Sequence, residues 1–244
     1  MQKKKILSLT YDAVTLAKAT DAVLASARER RRLCVFTPGA TVGAAAERDA
    51  SLRTLLSHAD LLLADGVGVS LASRLAGAGG IKTVRGISLG EAVLRRGGRE
   101  GLRVFFYGGR EGVAARAAEH WKKQYPRLVF ATASGYGEAP TEEILAFSPD
   151  ILFVCLGVPR QEAYIAENVA RFSFPCLALG GSLDVWSGKV RRAPRVLQRM
   201  GLEWLWRTLL EPRRVGRLLP LPAYFARCTV AGIKKLLRKR QKEG

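Results

Sequence analysis

The 244-residue chain is poor in the residue types that build metal centres and disulfide frameworks. It has four cysteines, two histidines and two methionines. The cysteines stand apart, with no Cys-x-x-Cys pair and no Cys/His cluster, and three of them lie inside apolar runs. We interpret them as small buried side chains in a reducing compartment. A dedicated zinc site is therefore not expected, and no metal or other cofactor is predicted.

Long apolar runs are also missing. A membrane-spanning helix needs about 20 mainly apolar residues, and no stretch of the sequence approaches this length. The basic start, Met1 to Ile6, is followed by a short mixed segment and not by the apolar core of a secretory leader. We therefore expect a cytoplasmic protein that, where it meets a membrane, lies on the inner face of the cell membrane.

Acidic residues are scarce, and the imbalance is concentrated at one end. The chain has 40 Lys and Arg against 21 Asp and Glu, and from Lys189 onward 16 basic residues face only three acidic ones. Such a field attracts nucleic acid or anionic lipid. Because the basic residues alternate with Trp, Leu and other apolar residues, the pattern is typical of an interfacial amphipathic element. No nucleic-acid-binding signature accompanies the charge. We expect an anionic membrane surface as partner and no nucleic acid, with an inert solvated surface as the intermediate alternative.

The rest of the chain alternates between strand-like and helix-like patterns. Continuous apolar runs bounded by turn residues predict six buried strands, at 33–37, 61–65, 103–108, 128–132, 151–157 and 176–180. Helical periodicity covers 41–57, 67–76, 88–97, 111–124, 141–147 and 160–170. This alternation predicts an α/β fold, with a Rossmann-like, mostly parallel sheet and helices on both faces.

The pattern changes near residue 190, where the strand-like runs stop. Pro212, Pro220 and Pro222 divide the remaining segment into short helices, the last at about 223–240. We therefore predict two units: a Rossmann-like catalytic domain at 1–190 and a basic, helical, membrane-docking appendage at 191–244.

Ligands of an open parallel sheet bind beyond the carboxyl ends of its strands. Five of the six predicted strand ends are rich in glycine, which allows a phosphate or sugar to approach the backbone closely. Each glycine could equally serve as an ordinary turn residue, but their number favours a nucleotide or sugar-nucleotide ligand. Neither the dinucleotide-binding fingerprint nor a P-loop is present, which disfavours a dehydrogenase or a P-loop enzyme.

Three polar residues at these ends are candidates for chemistry. Asp65 follows four apolar residues and precedes a glycine that opens a helix, so it could cap that helix or act as a general base. Asp184 could accept hydrogen bonds from ribose or base hydroxyls, or cap its turn. Gln161 is a better ligand candidate than the neighbouring Glu162, because the helix dipole favours a glutamate there whatever the function.

Four segments together resemble the WecG/TagA/CpsF family of glycosyltransferases. The likeness is densest in PDILFVCLGVPRQE at 149–162, similar to the family signature PDxxxVxxGxPxQE. It continues in GGSLDVWSGKVRRAP at 180–194, GLEWLWRTLLEPRR at 201–214 and ADGVG at 64–68. The order and spacing of the segments are preserved over nearly the whole chain.

The resemblance implies a metal-independent, inverting transferase with a Rossmann-like core. Members of the family typically move N-acetylmannosamine from its UDP donor to a polyprenyl-diphosphate-linked N-acetylglucosamine, for teichoic acid linkage units, enterobacterial common antigen or capsular polysaccharide. Small homo-oligomers also occur in the family. The implied partners of this chain are thus a UDP-sugar donor and a lipid-linked acceptor.

The resemblance also assigns roles to residues. Asp65 would be the base that deprotonates the acceptor hydroxyl. The segments expected to hold the nucleotide contain Gly108, Gly109, Tyr136, Gln161 and Asp184. The acceptor pocket and the appendage arginines that close over it would contribute Thr37, Gly39, Arg85, Arg207, Arg214 and Arg217.

Two departures from the family pattern lie on the acceptor side. Gly39 stands where the family usually has Asn in a Thr-x-Asn segment. In place of Arg-Val-x-Gly-[Ser/Thr]-Asp the chain reads TVRGIS at 83–88, so that the arginine is displaced to Arg85 and Ser88 replaces the aspartate. These changes motivate one alternative, a non-catalytic sugar-nucleotide-binding protein of the same fold. A nucleic-acid-binding α/β protein is a further alternative that rests on charge alone.

Overall fold

A six-stranded parallel sheet forms the centre of the computed structural model, which describes residues 2–194, 196–197, 201, 203–210 and 212–243. Its strands are β3 (Leu33–Phe36), β4 (Leu61–Leu62), β5 (Arg103–Gly108), β6 (Val129–Ala133), β7 (Ile151–Cys155) and β8 (Pro175–Ala178). Their order across the sheet is β4-β3-β8-β7-β5-β6, and every neighbouring pair is parallel. The predicted fold class and all six predicted strands are confirmed.

Two strands near the N-terminus were not predicted. They are β1 (Lys3–Ile6) and β2 (Leu9–Asp12), which form an antiparallel hairpin. The Asp12 carboxylate accepts a hydrogen bond from the Leu62 amide at 3.0 Å, so the hairpin is tied to the edge strand β4. This contact helps to cover an edge that would otherwise present unpaired backbone groups.

Eleven α-helices have bounds within the described part of the chain. They are α1 (Leu16–Arg28), α2 (Ala40–Ala46), α3 (Ala50–Ser57), α4 (Val67–Leu75), α5 (Gly86–Glu100), α6 (Val113–Gln124), α7 (Thr141–Phe147), α8 (Arg160–Asn168), α9 (Ser182–Trp186), α10 (Glu203–Leu210) and α11 (Leu221–Glu243). Short 3-10 turns cover Val169–Arg171 and Pro212–Arg217.

Most helix predictions match, with three differences. The periodicity at 41–57 belongs to two helices, because the Asp49 side chain caps a new helix by accepting from the Leu52 amide at 3.0 Å. Helix α1, capped by Thr15, was missed. The five-residue helix α9 was also missed, since it is too short to show a period.

The sheet separates two hydrophobic clusters, and consecutive strand residues alternate between them. On β5, Phe105 belongs to one cluster and Phe106 to the other; on β7, Leu152 and Phe153 divide in the same way. Alternate side chains of a strand point to opposite faces. Both faces are thus covered, which explains why these strands appear in the sequence as unbroken apolar runs.

Helix α11 packs on α4 and α2 through its first half. Tyr224 and Cys228 are buried in the first cluster. Gly232 approaches α4 so closely that a Cβ atom there would lie 2.1 Å from the Leu75 carbonyl oxygen. The Lys235 ammonium donates to the Gly77 carbonyl at 2.8 Å.

The proposed boundary between 1–190 and 191–244 stays a prediction. Among the described helices, none has the length and apolarity to cross a bilayer.

Candidate active site

A cavity of about 610 Å³ lies beyond the carboxyl ends of β3, β4 and β8. Loops after these strands form its floor, and α10, the following 3-10 turn and the start of α11 contribute its outer wall. Four of the predicted site residues line it: Gly39, Asp65, Arg85 and Arg217. Gly39 and Arg217, more than 150 positions apart in the sequence, thus line the same cavity. Its volume suits a small ligand.

Asp65 is held at the floor of this cavity by its backbone. It forms a parallel bridge with Gly39, and its amide donates to the Pro38 carbonyl at 3.3 Å. Its carboxylate accepts from the amide of Gly86, the first residue of α5, at 3.3 Å. The following helix α4 is capped by Gly66 without a side-chain hydrogen bond. The Asp65 carboxylate is therefore directed to the N-terminus of α5 rather than to a capping bond on α4.

The two other residues predicted after β3 differ in exposure to the cavity. The Thr37 hydroxyl donates to the Ala178 carbonyl of β8 at 3.2 Å, and it packs so closely on Gly86 that a Cβ there would lie 2.6 Å away. Thr37 supports the floor from behind and is not one of the residues that line the cavity. Gly39 does line it, and a Cβ atom at Gly39 would meet only the Asp65 carbonyl, at 3.4 Å. The position has room for a side chain.

Arg85 lines the cavity at the N-terminus of α5. It is the N-cap residue of α5, and its guanidinium donates to the Glu203 carboxylate of α10 at 2.8 Å. Arg217 lines the same cavity from the 3-10 turn and is exposed. The side chains of Arg207 and Arg214 lie outside the part of the chain that the structure describes.

The residues predicted to hold the nucleotide lie along the carboxyl ends of β5 to β8. Gly108 has a φ of 140°, and a Cβ atom there would lie 2.4 Å from the Cys155 carbonyl oxygen, so only glycine fits. The neighbouring Gly109 accepts from the Gly135 amide at 2.8 Å, which joins the loops after β5 and β6. Tyr136 is 65% exposed on the second of these loops. The strand ends thus form a continuous, closely packed backbone surface.

Gln161 joins the next two strand ends. Its buried side-chain oxygen accepts from the amides of Gly157 at 3.2 Å and Gly180 at 2.9 Å, the glycines that follow β7 and β8. Its amide nitrogen donates to Glu162 at 2.8 Å. Both polar ends of Gln161 are thus bonded within the protein, so it shapes the two loops whether or not it touches a ligand.

Glu162 is a buried carboxylate beside this link. One oxygen accepts from Gln161, and the other has no hydrogen-bond partner among the described atoms. Burial raises the pKa of Glu162, and the hydrogen bond from Gln161 opposes this only in part.

Asp184, in the first turn of α9, is half-buried and forms an ion pair with Lys189 at 3.2 Å.

Sequence reasoning missed two side chains that the structure places at these sites. Glu203 lines the cavity and bonds Arg85; the signal was its isolation as an acid within the basic segment. Arg160 donates to the Gly135 carbonyl at 3.0 Å and so bridges the loops after β6 and β7. Within the described ranges, no group of three His, Cys, Asp or Glu side chains is placed to hold a metal ion.

A parallel α/β sheet with glycine loops and a carboxylate cavity at its strand ends is the architecture of enzymes that act on nucleotide-linked substrates. The model of the glycosyl transferase WecG/TagA/CpsF family matches residues 4–241, and the chain belongs to this family. The chain is therefore a glycosyltransferase, as the sequence resemblance predicted.

Curated relatives carry one common name, N-acetylglucosaminyldiphosphoundecaprenol N-acetyl-beta-D-mannosaminyltransferase. The protein from Bacillus spizizenii is 37% identical over 197 residues, which cover 78% of this chain and 76% of the relative. The protein from Bacillus subtilis strain 168 is 34% identical over 197 residues, which again cover 78% of this chain and 76% of the relative. That from Staphylococcus aureus strain NCTC 8325 is 28% identical over 244 residues, 97% of this chain and 95% of the relative.

Proposed function

We propose that the enzyme transfers N-acetylmannosamine from a UDP donor to a polyprenyl-diphosphate-linked N-acetylglucosamine, with inversion at the anomeric carbon. The observation that carries this proposal is the cavity that Asp65, Arg85 and Arg217 line together. The names of relatives up to 37% identical support the choice of sugar and acceptor. The product would serve teichoic acid synthesis or another surface polysaccharide.

The cavity supplies the groups that this reaction needs on the acceptor side. The acceptor hydroxyl would attack the anomeric carbon of the donor sugar while Asp65 takes its proton as general base. The bond from that carbon to the UDP oxygen breaks, and UDP leaves with the electron pair. Arg85 and Arg217 would meet the acceptor diphosphate, because guanidinium groups bind phosphate oxygens in a fixed geometry.

The donor would lie along the strand ends next to the cavity. The glycine loops after β5, β7 and β8 allow close approach of a diphosphate to backbone amides, and Gln161 fixes the relation of two of these loops. Tyr136, exposed on the loop after β6, would cover a base or ribose. That no metal or other cofactor takes part stays a prediction.

We further propose that α11 docks on the anionic cytoplasmic face of the membrane, where a polyprenyl acceptor resides. Val230, Ile233 and Leu237 follow helical spacing, and they are 51%, 51% and 55% exposed. They face away from Tyr224 and Cys228, which are buried in the core. An apolar face of this kind inserts between headgroups, and each nearby basic residue adds about 1 kcal/mol of attraction.

Acceptor-dependent release of UDP tests the proposed reaction. The full chain is incubated with UDP-N-acetylmannosamine and a short-chain polyprenyl-diphosphate N-acetylglucosamine, with UDP-N-acetylglucosamine as the matched donor control. We expect UDP release only when the mannosamine donor and the lipid acceptor are both present. UDP binding without turnover for any UDP-sugar and lipid acceptor would contradict the proposal and favour the non-catalytic alternative.

A further inference from the structure

One carboxylate of the C-terminal segment reaches the acceptor side of the cavity. Glu203, the first residue of α10, bonds the Arg85 guanidinium at 2.8 Å, and the two side chains are only 13% and 27% exposed. Both residues line the cavity that contains Asp65. The ion pair therefore joins the outer wall of the cavity to the N-terminus of α5, where the Gly86 amide donates to the carboxylate of the proposed base, Asp65.

A second arginine, Arg192, forms an ion pair with the same carboxylate. The Arg192 guanidinium bonds Glu91 of α5 and lies 3.5 Å from the Ser88 hydroxyl. Its Nε atom lies 3.6 Å from the Glu203 Oε1 atom. Among the described atoms, neither of these two buried atoms has a hydrogen-bond partner. The distance of 3.6 Å is within ion-pair range but beyond that of a hydrogen bond, so Arg192 adds a second positive charge beside Glu203 without bonding it directly.

Two simpler roles for Glu203 account for less of this geometry. A glutamate in the first turn of a helix is favoured by the helix dipole, but that effect does not require contact with Arg85. A surface ion pair contributes little to stability, but this one is mostly shielded from solvent and lies in the cavity wall.

We propose that Glu203 is a positioning residue for the acceptor: it holds the Arg85 guanidinium in the orientation that binds the acceptor diphosphate. A guanidinium has five N–H donors in a planar fork, so one edge can bond a carboxylate while another meets phosphate oxygens. Acceptor binding would then depend on the contact between Glu203 of α10 and Arg85. This inference rests on the proposed function of the cavity.

A double-mutant cycle tests the positioning role. We expect Glu203→Gln to raise the KM for the lipid acceptor about tenfold, the effect of losing one charge-assisted hydrogen bond, with the donor KM unchanged. In an Arg85→Met background, Glu203→Gln should have little further effect. Glu100→Gln, which breaks the exposed pair with Arg28 at the far end of α5, is the matched control and should change neither KM. Equal effects of Glu203→Gln in both backgrounds, or an equal rise in both KM values, would overturn the proposal.

Hydrogen exchange of α10 gives a readout that does not depend on turnover. Exchange of residues 203–210 should rise in Glu203→Gln and in Arg85→Met but not in Glu100→Gln. If the wild-type chain shows no turnover, the proposed function fails, and unchanged exchange in Glu203→Gln would then overturn the positioning role separately. If Glu203→Gln does not fold, Glu203→Asp, which keeps the charge on a shorter side chain, replaces it and should shift acceptor KM and exchange in the same direction.

Discussion

A single side chain, that of Gln161, joins two of the strand ends. Gln161 was predicted as a ligand residue, and the structure places its oxygen between the amides of Gly157 and Gly180. Loss of that oxygen would leave two amides without this partner, at about 1–3 kcal/mol each where they are buried. A direct contact of Gln161 with the nucleotide stays a prediction, whereas its role in joining two loops follows from the geometry.

Glu162 should make the protein less stable as the pH rises. Burial raises the pKa of its carboxyl above the ordinary value, so the folded state binds a proton that the unfolded state has already lost. The free energy of unfolding therefore falls as pH rises from the unfolded pKa through the raised folded pKa. We expect Glu162→Gln, which keeps the shape and removes the charge, to match the wild type near pH 4 and to exceed it in Tm by a margin that grows as the pH rises through the raised pKa.

Thermal unfolding across this pH range is the measurement, with Glu143→Gln as the control because Glu143 is an exposed glutamate in the first turn of α7. A Tm difference between Glu162→Gln and the wild type that is constant over the range would contradict the assignment.

The acceptor-side departures also act at the level of single residues. Gly39 leaves open space where the family usually has an asparagine, and its backbone angles suit any residue. Ser88 lies beside Arg192, at 3.5 Å, in the network that ends on Glu203. Ser88, which replaces the family's aspartate, and Arg85, the displaced arginine, thus belong to one cluster of side chains.

At the scale of elements, the strands were predictable and the hairpin was not. The central strands are buried on both faces, so each shows an unbroken apolar run. In the hairpin β1–β2 only Ile6, Leu9, Tyr11 and Asp12 are buried, and the three lysines of β1 gave it the appearance of a basic tail. It packs on β4 and α4, which are distant in sequence, and such contacts leave no local pattern.

Helix α11 carries two apolar faces with different roles. One face, with Tyr224 and Cys228, completes the core, and the other is exposed. We expect the triple change Val230→Ser, Ile233→Ser and Leu237→Ser to weaken binding to anionic vesicles at least about tenfold, because each buried methylene contributes about 0.8 kcal/mol to insertion. The free energy of unfolding should change by about 0.5 kcal/mol or less per exposed site.

Vesicle flotation and chemical unfolding of the full chain check this prediction. Tyr224→Ala on the opposite face is the contrasting variant, and it should lower the free energy of unfolding by about 3 kcal/mol, as for other buried aromatic residues. Unchanged flotation of the triple serine variant would contradict the docking role of this face. If the wild type is a dimer and the variant becomes a monomer without loss of vesicle binding, a second copy of the chain covers this face instead.

At the scale of the whole molecule, the site is assembled by topology. The order β4-β3-β8 places the ends of three strands side by side and brings Asp65 to the loop that contains Gly39. The sequence predicted which residues end the strands, but it could not predict their neighbours, because strand order depends on long-range pairing. The family resemblance supplied the missing grouping. In the structure Gly39, Asp65, Arg85 and Arg217 line one cavity, and their roles there stay predictions.

The charge of the molecule is consistent with this arrangement. The net charge of +19 is concentrated after Lys189, in the segment that provides both the outer wall of the cavity and the exposed face of α11. A single segment would then carry the enzyme to an anionic surface and complete the acceptor side of its site.

Acceptor-dependent UDP release by Asp65→Asn tests the central claim most directly. The change keeps the size of the side chain and removes the base, and general-base catalysis typically contributes about 10²- to 10⁴-fold. We predict a loss of kcat in this range with UDP binding by calorimetry unchanged. Asp21→Asn, which alters an exposed carboxylate paired with Arg96, should retain full turnover. Turnover by Asp65→Asn close to that of the wild type would contradict the account.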